Sequence, residues 1–191
     1  MKLRTILLFG SPGAGKGTQG AILGNIPGYM HISSGDLFRG LGIQNPLRET
    51  FLKYAGRGEL VPDEPSIGLV QDDIENRTRN GTFQPETDTL LLDGIPRNVA
   101  QAQLLDDTLN VVGVLNLFCK DIDIMVERLQ ARALRENRLD DANLETIRNR
   151  LEVYKAETRP VLEHYGDGLS HTIDSTQSPV RVLRDVLEVL A

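Results

Sequence analysis

The sequence predicts an α/β fold of three layers, in which helices cover both faces of a five-stranded parallel sheet. Two observations carry this prediction. Short apolar runs alternate with segments of helical periodicity along the chain, and a glycine-rich turn follows the first apolar run directly. Parallel strands need a crossover connection, which is usually a helix, so this alternation is typical of α/β proteins. In such sheets, ligands bind at the carboxyl ends of the strands.

Five apolar runs are the predicted strands. In the first of them, Ile6, Leu7, Leu8 and Phe9 are continuously apolar, which is typical of a strand buried on both faces. This N-terminal run is too short for a signal peptide, so we interpret it as a strand. The predicted strands span residues 3–9, 29–32, 89–92, 111–119 and 169–173.

Capping residues and apolar stripes predict the helices. Asp63 and Asp121 each stand before a helical stripe and are predicted to cap it, and Ser178 followed by Pro179 is a typical helix start. An apolar stripe from residue 144 to residue 154 continues at residues 161 and 162, and this pattern predicts one long helix.

Two segments do not fit simple crossovers between strands. Residues 33–62 are long for a connection, and residues 128–141 are crowded with charge. We expect both to be inserts that close over a ligand. The predicted organisation is a single domain, residues 1–191, with a core at 1–32, 63–128 and 140–191, a helical insert at 33–62 and a short lid at 129–139.

Composition narrows the function. The chain has 191 residues and a formal net charge of −6, which argues against a general nucleic-acid binder. No apolar stretch approaches the roughly 18 residues that span a bilayer, so we expect no membrane association. The one cysteine, Cys119, can form neither an internal disulfide nor a multi-cysteine zinc site, and we expect a cytoplasmic protein. Arginine makes up 16 of the 21 Lys and Arg residues, and its planar group suits bidentate contacts with phosphate. Taken alone, this excess favours a compositional bias of the source genome, so the positions of the arginines in the chain carry the argument.

Residues 10–18, with the sequence GSPGAGKGT, form a phosphate-binding pattern between the first strand and a helix. Glycines let the backbone turn its N–H groups toward phosphate oxygens, and the start of the following helix adds its positive dipole end. Lys16 can then reach the β- and γ-phosphates of ATP. Loops of this kind usually have Ser or Thr directly after the lysine, where this chain has Gly17 and then Thr18. The displacement argues against direct ligation of magnesium by that hydroxyl.

Asp93 ends the third predicted strand, at the edge of the sheet where the loop lies. A carboxylate there is placed to hold Mg²⁺, directly or through water. The structural alternative is a strand-end carboxylate that caps the next turn. The neighbouring phosphate loop favours the metal.

Five sequence blocks, taken in order, resemble those of a nucleoside monophosphate kinase of the adenylate kinase family. After residues 10–18, they are HISSGDLFR at 31–39, GELVPDE at 58–64, DGIPR at 93–97, and RLDD at 138–141 followed by Arg150. The GKGT form of the loop is the one that this family uses. The resemblance covers nearly the whole chain and implies a P-loop core with a monophosphate-binding insert and a short lid.

The resemblance implies a donor site for MgATP. Arg128 and Arg132 would lie over the adenine and the phosphates, and Gln177 would lie near the adenine. Asp93 would hold the Mg²⁺ ion through water. The implied ATP-binding residues are Gly13, Ala14, Gly15, Lys16, Gly17, Thr18, Arg128, Arg132 and Gln177.

The resemblance also implies an acceptor site for AMP. Arg39 and Arg97 would bind the AMP phosphate, the ribose and base would contact Ser34, Gln101 and the backbone of residues 59–61, and Asp140 with Asp141 would support the lid. The implied AMP-binding residues are Ser34, Arg39, Glu59, Leu60, Val61, Gly94, Ile95, Pro96, Arg97, Gln101, Arg138 and Arg150. The implied catalytic residues are Lys16, Arg39, Arg97, Arg132, Arg138 and Arg150.

The implied chemistry explains why cations dominate this set. The acceptor is already a phosphate oxyanion, so no general base has to remove a hydroxyl proton. Cationic side chains and Mg²⁺ bring two polyanions together and stabilise the transferring phosphoryl group. A lid that moves arginines inward also excludes water. This lid lacks the zinc-type cysteines of long-lid relatives, so we expect no structural zinc, and from the family we expect a monomer.

The acceptor base is predicted from two positions. Relatives that prefer UMP or CMP tend to have Ala at the position of Ser34 and Asn at that of Gln101, so the resemblance favours AMP and the reaction ATP + AMP ⇌ 2 ADP. Two departures leave relaxed specificity open: Ile95 replaces the usual Phe, and residues 41–50 lack the usual small, glycine-containing stretch. The alternatives are a UMP/CMP kinase of the same family, a nucleotide-binding regulator without turnover, and a small-metabolite P-loop kinase.

Overall fold

The computed structural model describes residues 2–136, 138, 141 and 143–191. Over these residues, five parallel strands form one sheet in the spatial order β2-β3-β1-β4-β5. The order places β1 and β3 side by side, so that their carboxyl ends open onto the same edge of the sheet. The strands are β1 (Leu3–Phe9), β2 (Tyr29–Ser33), β3 (Thr89–Asp93), β4 (Leu109–Phe118) and β5 (Ser170–Asp174).

Helices connect each strand to the next, as the alternation of the sequence patterns predicts. The longest connections lie between β2 and β3 and between β4 and β5. The helices are α1 (Lys16–Leu23), α2 (Ser34–Gly40), α3 (Pro46–Ala55), α4 (Asp63–Arg79), α5 (Val99–Leu105), α6 (Ile122–Glu136), α7 (Leu144–Val153), α8 (Pro160–Tyr165) and α9 (Pro179–Leu190).

The alternation of side chains along β1 divides the core into two layers. Leu7 and Phe9 pack in a cluster with buried residues of α4 and α5, whereas Ile6 and Leu8 pack in a cluster with Leu23 at the end of α1 and with α9. Successive side chains of a strand point to opposite faces, so a continuously apolar strand must be covered on both. The predicted α/β class with helices on both faces is therefore confirmed.

A third apolar cluster lies beside the phosphate loop. It joins Met125 and Leu129 of α6 to Ile147 and Leu151 of α7. A Cβ atom on Gly13 would lie 2.8 Å from the main-chain oxygen of Met125. Helix α6 therefore packs directly against the loop and fixes its outer side.

The predicted insert at residues 33–62 contains two helices. Helix α2 follows β2 directly, and the Ser33 side chain accepts a hydrogen bond from the main-chain N–H of Asp36. Asn45 caps α3, where Pro46 is the first helical residue. The rings of Phe38 and Phe51 stack with centroids 5.2 Å apart, so the two helices pack on each other.

Asp63 does not cap α4, which corrects the prediction from sequence. The cap position belongs to Pro62, and Asp63 is the first helical residue. Its carboxylate instead accepts hydrogen bonds from Asn98, which caps α5, and from Gln101, which lies within α5. At the other predicted starts, Asp121 accepts bonds from Asp123 and Ile124, and Ser178 occupies the cap position without a side-chain bond.

The long helix predicted from residue 144 onward is interrupted. A π-helical turn, Tyr154–Thr158, separates α7 from α8. Such turns insert an extra residue into the helical repeat and shift the face that the following residues present. The apolar stripe in the sequence crosses this turn, so periodicity alone predicts one helix where the structure has three segments.

Among the residues that the structure describes, no helix has the length and apolar character needed to cross a membrane.

Candidate active site

A cleft of about 390 Å³ opens at the carboxyl ends of β1, β2 and β3. In the described part of the chain, seven cationic side chains line it against four carboxylates, so the cleft carries the charge that a polyanionic ligand requires. The lining cations are Lys16, Arg39, Arg97, Arg132, Arg135, Arg138 and Arg150, and the carboxylates are Asp36, Glu59, Asp93 and Glu136.

The phosphate loop has glycine where no other residue fits. Gly10 and Gly13 have φ angles of 143° and 85°. A Cβ atom on Gly10 would lie 2.5 Å from the main-chain oxygen of Leu117. Helix α1 begins at Lys16 with no side-chain cap and no acidic residue in its first turn. Its first N–H groups and positive dipole end can therefore bind an anion.

Lys16 lies at the floor of the cleft. Its Nζ donates to the main-chain oxygens of Gly10 at 2.6 Å and Ser11 at 3.2 Å. Burial lowers the pKa of Lys16 from 10.5 to about 8, because desolvation disfavours the charged ammonium. The carboxylate of Asp93 opposes this shift. The two main-chain oxygens carry only partial negative charge. A phosphate in the cleft would give the Lys16 ammonium a fully charged partner.

Three arginines act on Lys16 from the walls of the cleft. The positive charges of Arg97, Arg132 and Arg150 each lower the pKa of Lys16 further. Two of them share one partner, since Arg132 Nε donates to Asp141 Oδ2 at 2.7 Å and Arg150 contacts Asp141 Oδ1. Asp141 is only 1 % exposed, so its position is fixed by packing and it orients both guanidinium groups.

The arginines on the insert side meet at Asp36. Asp36 Oδ1 lies 2.6 Å from Arg39 of the same helix and 3.6 Å from Arg138. These charges lower the pKa of Asp36 against the opposing effect of its burial. The two arginines come from the insert and from the predicted lid, so a single carboxylate joins the two elements across the cleft.

Arg97 lies between the insert and the loop. Its Nε donates to the main-chain oxygen of Gly94 at 2.8 Å, and its own N–H donates to Gln101 Oε1 at 2.7 Å. Ser34 donates to the same oxygen of Gly94 at 2.8 Å. The segment that carries Arg97 is thus held at both ends before any ligand binds.

Asp93 is a carboxylate beside the phosphate loop that could hold a Mg²⁺ ion. Residue Asp93 is 7 % exposed, and a Cβ atom on Gly17 would lie 3.6 Å from Asp93 Oδ2. Among the described residues, no group of three or more His, Cys, Asp or Glu side chains could hold a metal ion. Mg²⁺ is usually held by one or two carboxylates together with water and substrate phosphates, so one carboxylate beside the loop fits this ion.

Most of the residues predicted from sequence line the cleft, and six do not. Ala14, Ser34, Ile95 and Gln101 are buried beneath its surface, with exposed fractions between 1 % and 4 %. Ile95 packs in the core cluster with Phe9 and is not among the residues that line the cleft.

The remaining two predicted residues meet at the loop after β5. Arg128 donates to the main-chain oxygen of Ser175 at 2.8 Å, and Gln177 donates to Asp185 at 2.7 Å. Both lie outside the cleft lining but share this loop. Asp140, which was predicted to support the lid, lies outside the described residues, as do positions 137 and 139 of the predicted lid.

The cleft also contains residues that the sequence reasoning missed. Asp36 lies in the HISSGDLFR block but received no predicted role. Its spacing of three residues from Arg39 on a helix was a signal for an ion pair. Tyr154 and Thr158 line the cleft from the π-helical turn, and Phe51 does so from α3. No periodicity in the sequence marks the turn, so Tyr154 and Thr158 carried no signal.

Gly58 docks the insert on α7, and we expect Gly58→Ala to destabilise the fold. Gly58 has φ of 72°, and an added Cβ would lie 2.6 Å from the main-chain oxygen of Thr146. Thr146 and Asn149 donate hydrogen bonds to the main-chain oxygens of Gly56 and Arg57. The expected loss in the free energy of unfolding is about 2–4 kcal/mol, from left-handed strain and overpacking together, measured by urea denaturation.

Gly81→Ala is the matched control for this substitution. Gly81 has φ of 75°, and nothing lies within 4 Å of an added Cβ. The free energy of unfolding of Gly81→Ala should fall only by the cost of left-handed strain, about 1–2 kcal/mol. Equal losses in the two variants would show that the turn at residues 56–58 does not pack against α7 in solution.

Comparisons of the sequence with known proteins show its relatives. A family model described as adenylate kinase matches residues 8–169. The adenylate kinase of Corynebacterium aurimucosum is 43 % identical over 169 residues, which cover 85 % of this chain and 86 % of that protein. The adenylate kinase of Streptomyces coelicolor is 36 % identical over an alignment of 219 positions, which covers 97 % of each chain.

A third relative, the adenylate kinase of Rhodococcus erythropolis, is 43 % identical over 171 residues, which cover 86 % of this chain and 87 % of that protein. The family model covers most of the chain, and the matched range includes the phosphate loop, the insert and the arginines of the cleft. The chain is therefore a nucleotide-binding kinase, and it belongs to the adenylate kinase family.

Proposed function

We propose that this chain catalyses the reversible transfer of a phosphoryl group from MgATP to AMP, giving two molecules of ADP. One observation carries the proposal: Lys16 and arginines from the insert, the 93–97 segment, α6 and α7 converge on one cleft beside a helix start that can bind an anion. Two polyanions repel each other, and this density of positive charge offsets that repulsion.

The donor side of the proposal rests on the loop. The N–H groups at the start of α1 and the Lys16 ammonium would bind the β- and γ-phosphates of ATP. Lys16 Nζ now bonds to two main-chain oxygens of the loop, and phosphate oxygens would replace them when ATP binds. Arg128 and Gln177, at the loop after β5, would lie near the adenine.

The acceptor side rests on Arg39, Arg97 and the 58–61 segment. Arg39 now pairs with Asp36, and a phosphate would replace that carboxylate as its partner. The charge of Arg97 lowers the pKa of Lys16, so Arg97 lies near the donor site and would contact the acceptor phosphate there. Glu59, Leu60 and Val61 line the same wall, where the AMP ribose and base would bind.

The arginines of the cleft would promote the reaction by stabilising charge in the transition state. The incoming oxygen belongs to a phosphate that is already ionised, so no side chain has to act as a base. Arg132, Arg138 and Arg150 would place positive charge around the transferring group, where negative charge spreads over the phosphoryl oxygens. Mg²⁺, held at Asp93 through water, would neutralise part of the same charge.

Water exclusion is the second requirement, because an open site would hydrolyse ATP. The predicted lid at residues 129–139 carries Arg132 and Arg138, so its closure would bring cations inward and expel water in one movement. The ion pairs of Arg132 with Asp141 and of Arg138 with Asp36 support this role. We propose a monomeric cytoplasmic enzyme of nucleotide biosynthesis, with no structural zinc.

A coupled assay with ATP and a panel of acceptors tests the proposal. We expect AMP to give the highest kcat/KM among AMP, dAMP, CMP, UMP and GMP, because Ser34 and Gln101 are the residues that favour adenine in this family. A higher kcat/KM with CMP or UMP would identify a UMP/CMP kinase instead. Absence of turnover with every acceptor would support a nucleotide-binding regulator.

A further inference from the structure

Asp63 forms a hydrogen-bonded network that the phosphate chemistry does not use. Its Oδ1 accepts from Asn98 Nδ2 at 2.9 Å and from Gln101 Nε2 at 2.8 Å. Asp63 is the first residue of α4, directly after the insert, whereas its two partners lie at the start of α5. The network therefore joins the end of the insert to the segment that carries Arg97.

The partners in this network fix the orientation of the Gln101 carboxamide. The main-chain N–H of Arg97 can only donate, and it donates to Gln101 Oε1 at 2.7 Å. The Asp63 carboxylate accepts, so the amide nitrogen must face it. Asn98 is fixed in the same way, because its Oδ1 accepts from the main-chain N–H of Gln101 at 2.7 Å. If the Gln101 carboxamide were flipped, its NH₂ group would face the Arg97 N–H donor and its oxygen would face the Asp63 carboxylate, so both hydrogen bonds would be lost.

A carboxamide of fixed orientation can pair only with a base whose edge presents its donor and acceptor in the matching order. A carboxamide has two N–H donors and two acceptor sites, so Gln101 keeps one of each after its bonds to Asp63 and Arg97. The adenine edge presents the N1 acceptor beside the N6 amino donor. The edge of hypoxanthine, a 6-keto purine, reverses this order with an N1–H donor beside the O6 acceptor. A freely rotating carboxamide pairs with both bases, whereas a fixed one pairs with one.

We propose that Asp63 is a positioning residue that fixes the Gln101 carboxamide and so makes the acceptor site select 6-amino over 6-keto purines. The inference rests on the proposed function, in which Gln101 contacts the acceptor base. Gln101 is 1 % exposed, so water cannot satisfy a donor or acceptor that the wrong base leaves unpaired. Sites with buried polar groups of this kind reject mismatched substrates strongly.

The test compares AMP with inosine monophosphate (IMP) as the acceptor for the wild type and for Asp63→Ala. We expect the wild-type kcat/KM for AMP to exceed that for IMP by about a hundredfold or more. In Asp63→Ala the Gln101 amide loses one of its two constraints, so this ratio should fall roughly tenfold while the KM for ATP stays the same. Asp63→Asn should restore part of the ratio, because its amide oxygen can still accept both bonds.

Glu64→Ala is the matched control, since Glu64 is the other acidic residue in the first turn of α4 and is exposed. It loses the same interaction with the helix dipole but should leave the AMP to IMP ratio unchanged. Thermal unfolding of each variant checks the fold, and if Asp63→Ala is unstable, Asp63→Asn carries the test with an expected fall of about threefold.

Two results would overturn the inference: a wild-type ratio below tenfold, or a ratio in the Asp63 variants equal to that of the wild type. Either differs from a failure of the proposed function, in which the wild type would not phosphorylate AMP at all. A fall in the ratio for Glu64→Ala of the same size as for Asp63→Ala would also overturn it, because the effect would then belong to the helix start.

Discussion

Lys16→Met is expected to lower kcat/KM for phosphoryl transfer by about 10³-fold or more, which corresponds to about 4 kcal/mol of transition-state stabilisation. Methionine keeps the length and apolar stem of the side chain but removes the charge at the floor of the cleft. The N–H groups at the start of α1, which remain at the phosphate loop, carry only partial charges. The loss is measured by steady-state kinetics with ATP and AMP.

Lys120→Met is the control for Lys16→Met, because Lys120 is exposed and does not line the cleft. It should leave kcat/KM within twofold of the wild type. A loss of less than tenfold in Lys16→Met would show that Lys16 does not contact the reacting phosphates.

The lowered pKa of Lys16 predicts a pH dependence for the wild type. The ammonium form binds phosphate, and its pKa in the free enzyme is about 8. As the pH rises through 8, the charged fraction falls, so kcat/KM should fall, whereas an ordinary lysine would keep its charge to about pH 10. Lys16→Met should lack this alkaline limb. A wild-type profile that stays flat to pH 9.5 would contradict the assignment.

Arg97→Ala is expected to lower kcat/KM by a similar factor, about 10³-fold. Arg97 is held by Gly94 and Gln101 and lies close enough to Lys16 to lower its pKa. It can therefore contact the acceptor phosphate near the point of transfer. Because the side chain acts on both ground-state binding and the transition state, we expect KM for AMP to rise and kcat to fall together.

Arg97→Lys separates charge from geometry. Lysine keeps the charge but not the planar fork that binds two phosphate oxygens, so an intermediate loss of about 10–10²-fold is expected. Arg79→Ala, an exposed arginine at the end of α4, is the control and should be close to the wild type. If Arg97→Ala lowers kcat/KM by less than tenfold, the acceptor phosphate must bind elsewhere.

The cleft owes its geometry to a few buried polar groups. Asp141 orients Arg132 and Arg150, and Asp63 fixes Gln101 behind Arg97. Each carboxylate is paired with donors of the site itself, so the site is partly ordered before substrate arrives. Preorganised charge of this kind stabilises a transition state without the cost of reorienting the groups during the reaction.

The sequence alone determined the features that depend on local pattern. The continuous apolar run at residues 6–9 predicted a strand buried on both faces, and both core layers indeed pack against β1. The order of strand, glycine-rich loop and helix predicted the position of Lys16 at the start of α1. These features follow from neighbouring residues, because side-chain periodicity and glycine spacing act over a few positions of the chain.

Only the tertiary structure decided which distant side chains meet. Asp63 fits the pattern of a cap, yet its partners lie 35 and 38 residues away, and Asp36 meets Arg138 from across the cleft. The π-helical turn that brings Tyr154 to the cleft leaves no trace in the apolar stripe. Such contacts depend on how the insert, α5 and α7 pack over the sheet, and that packing is a property of the whole chain.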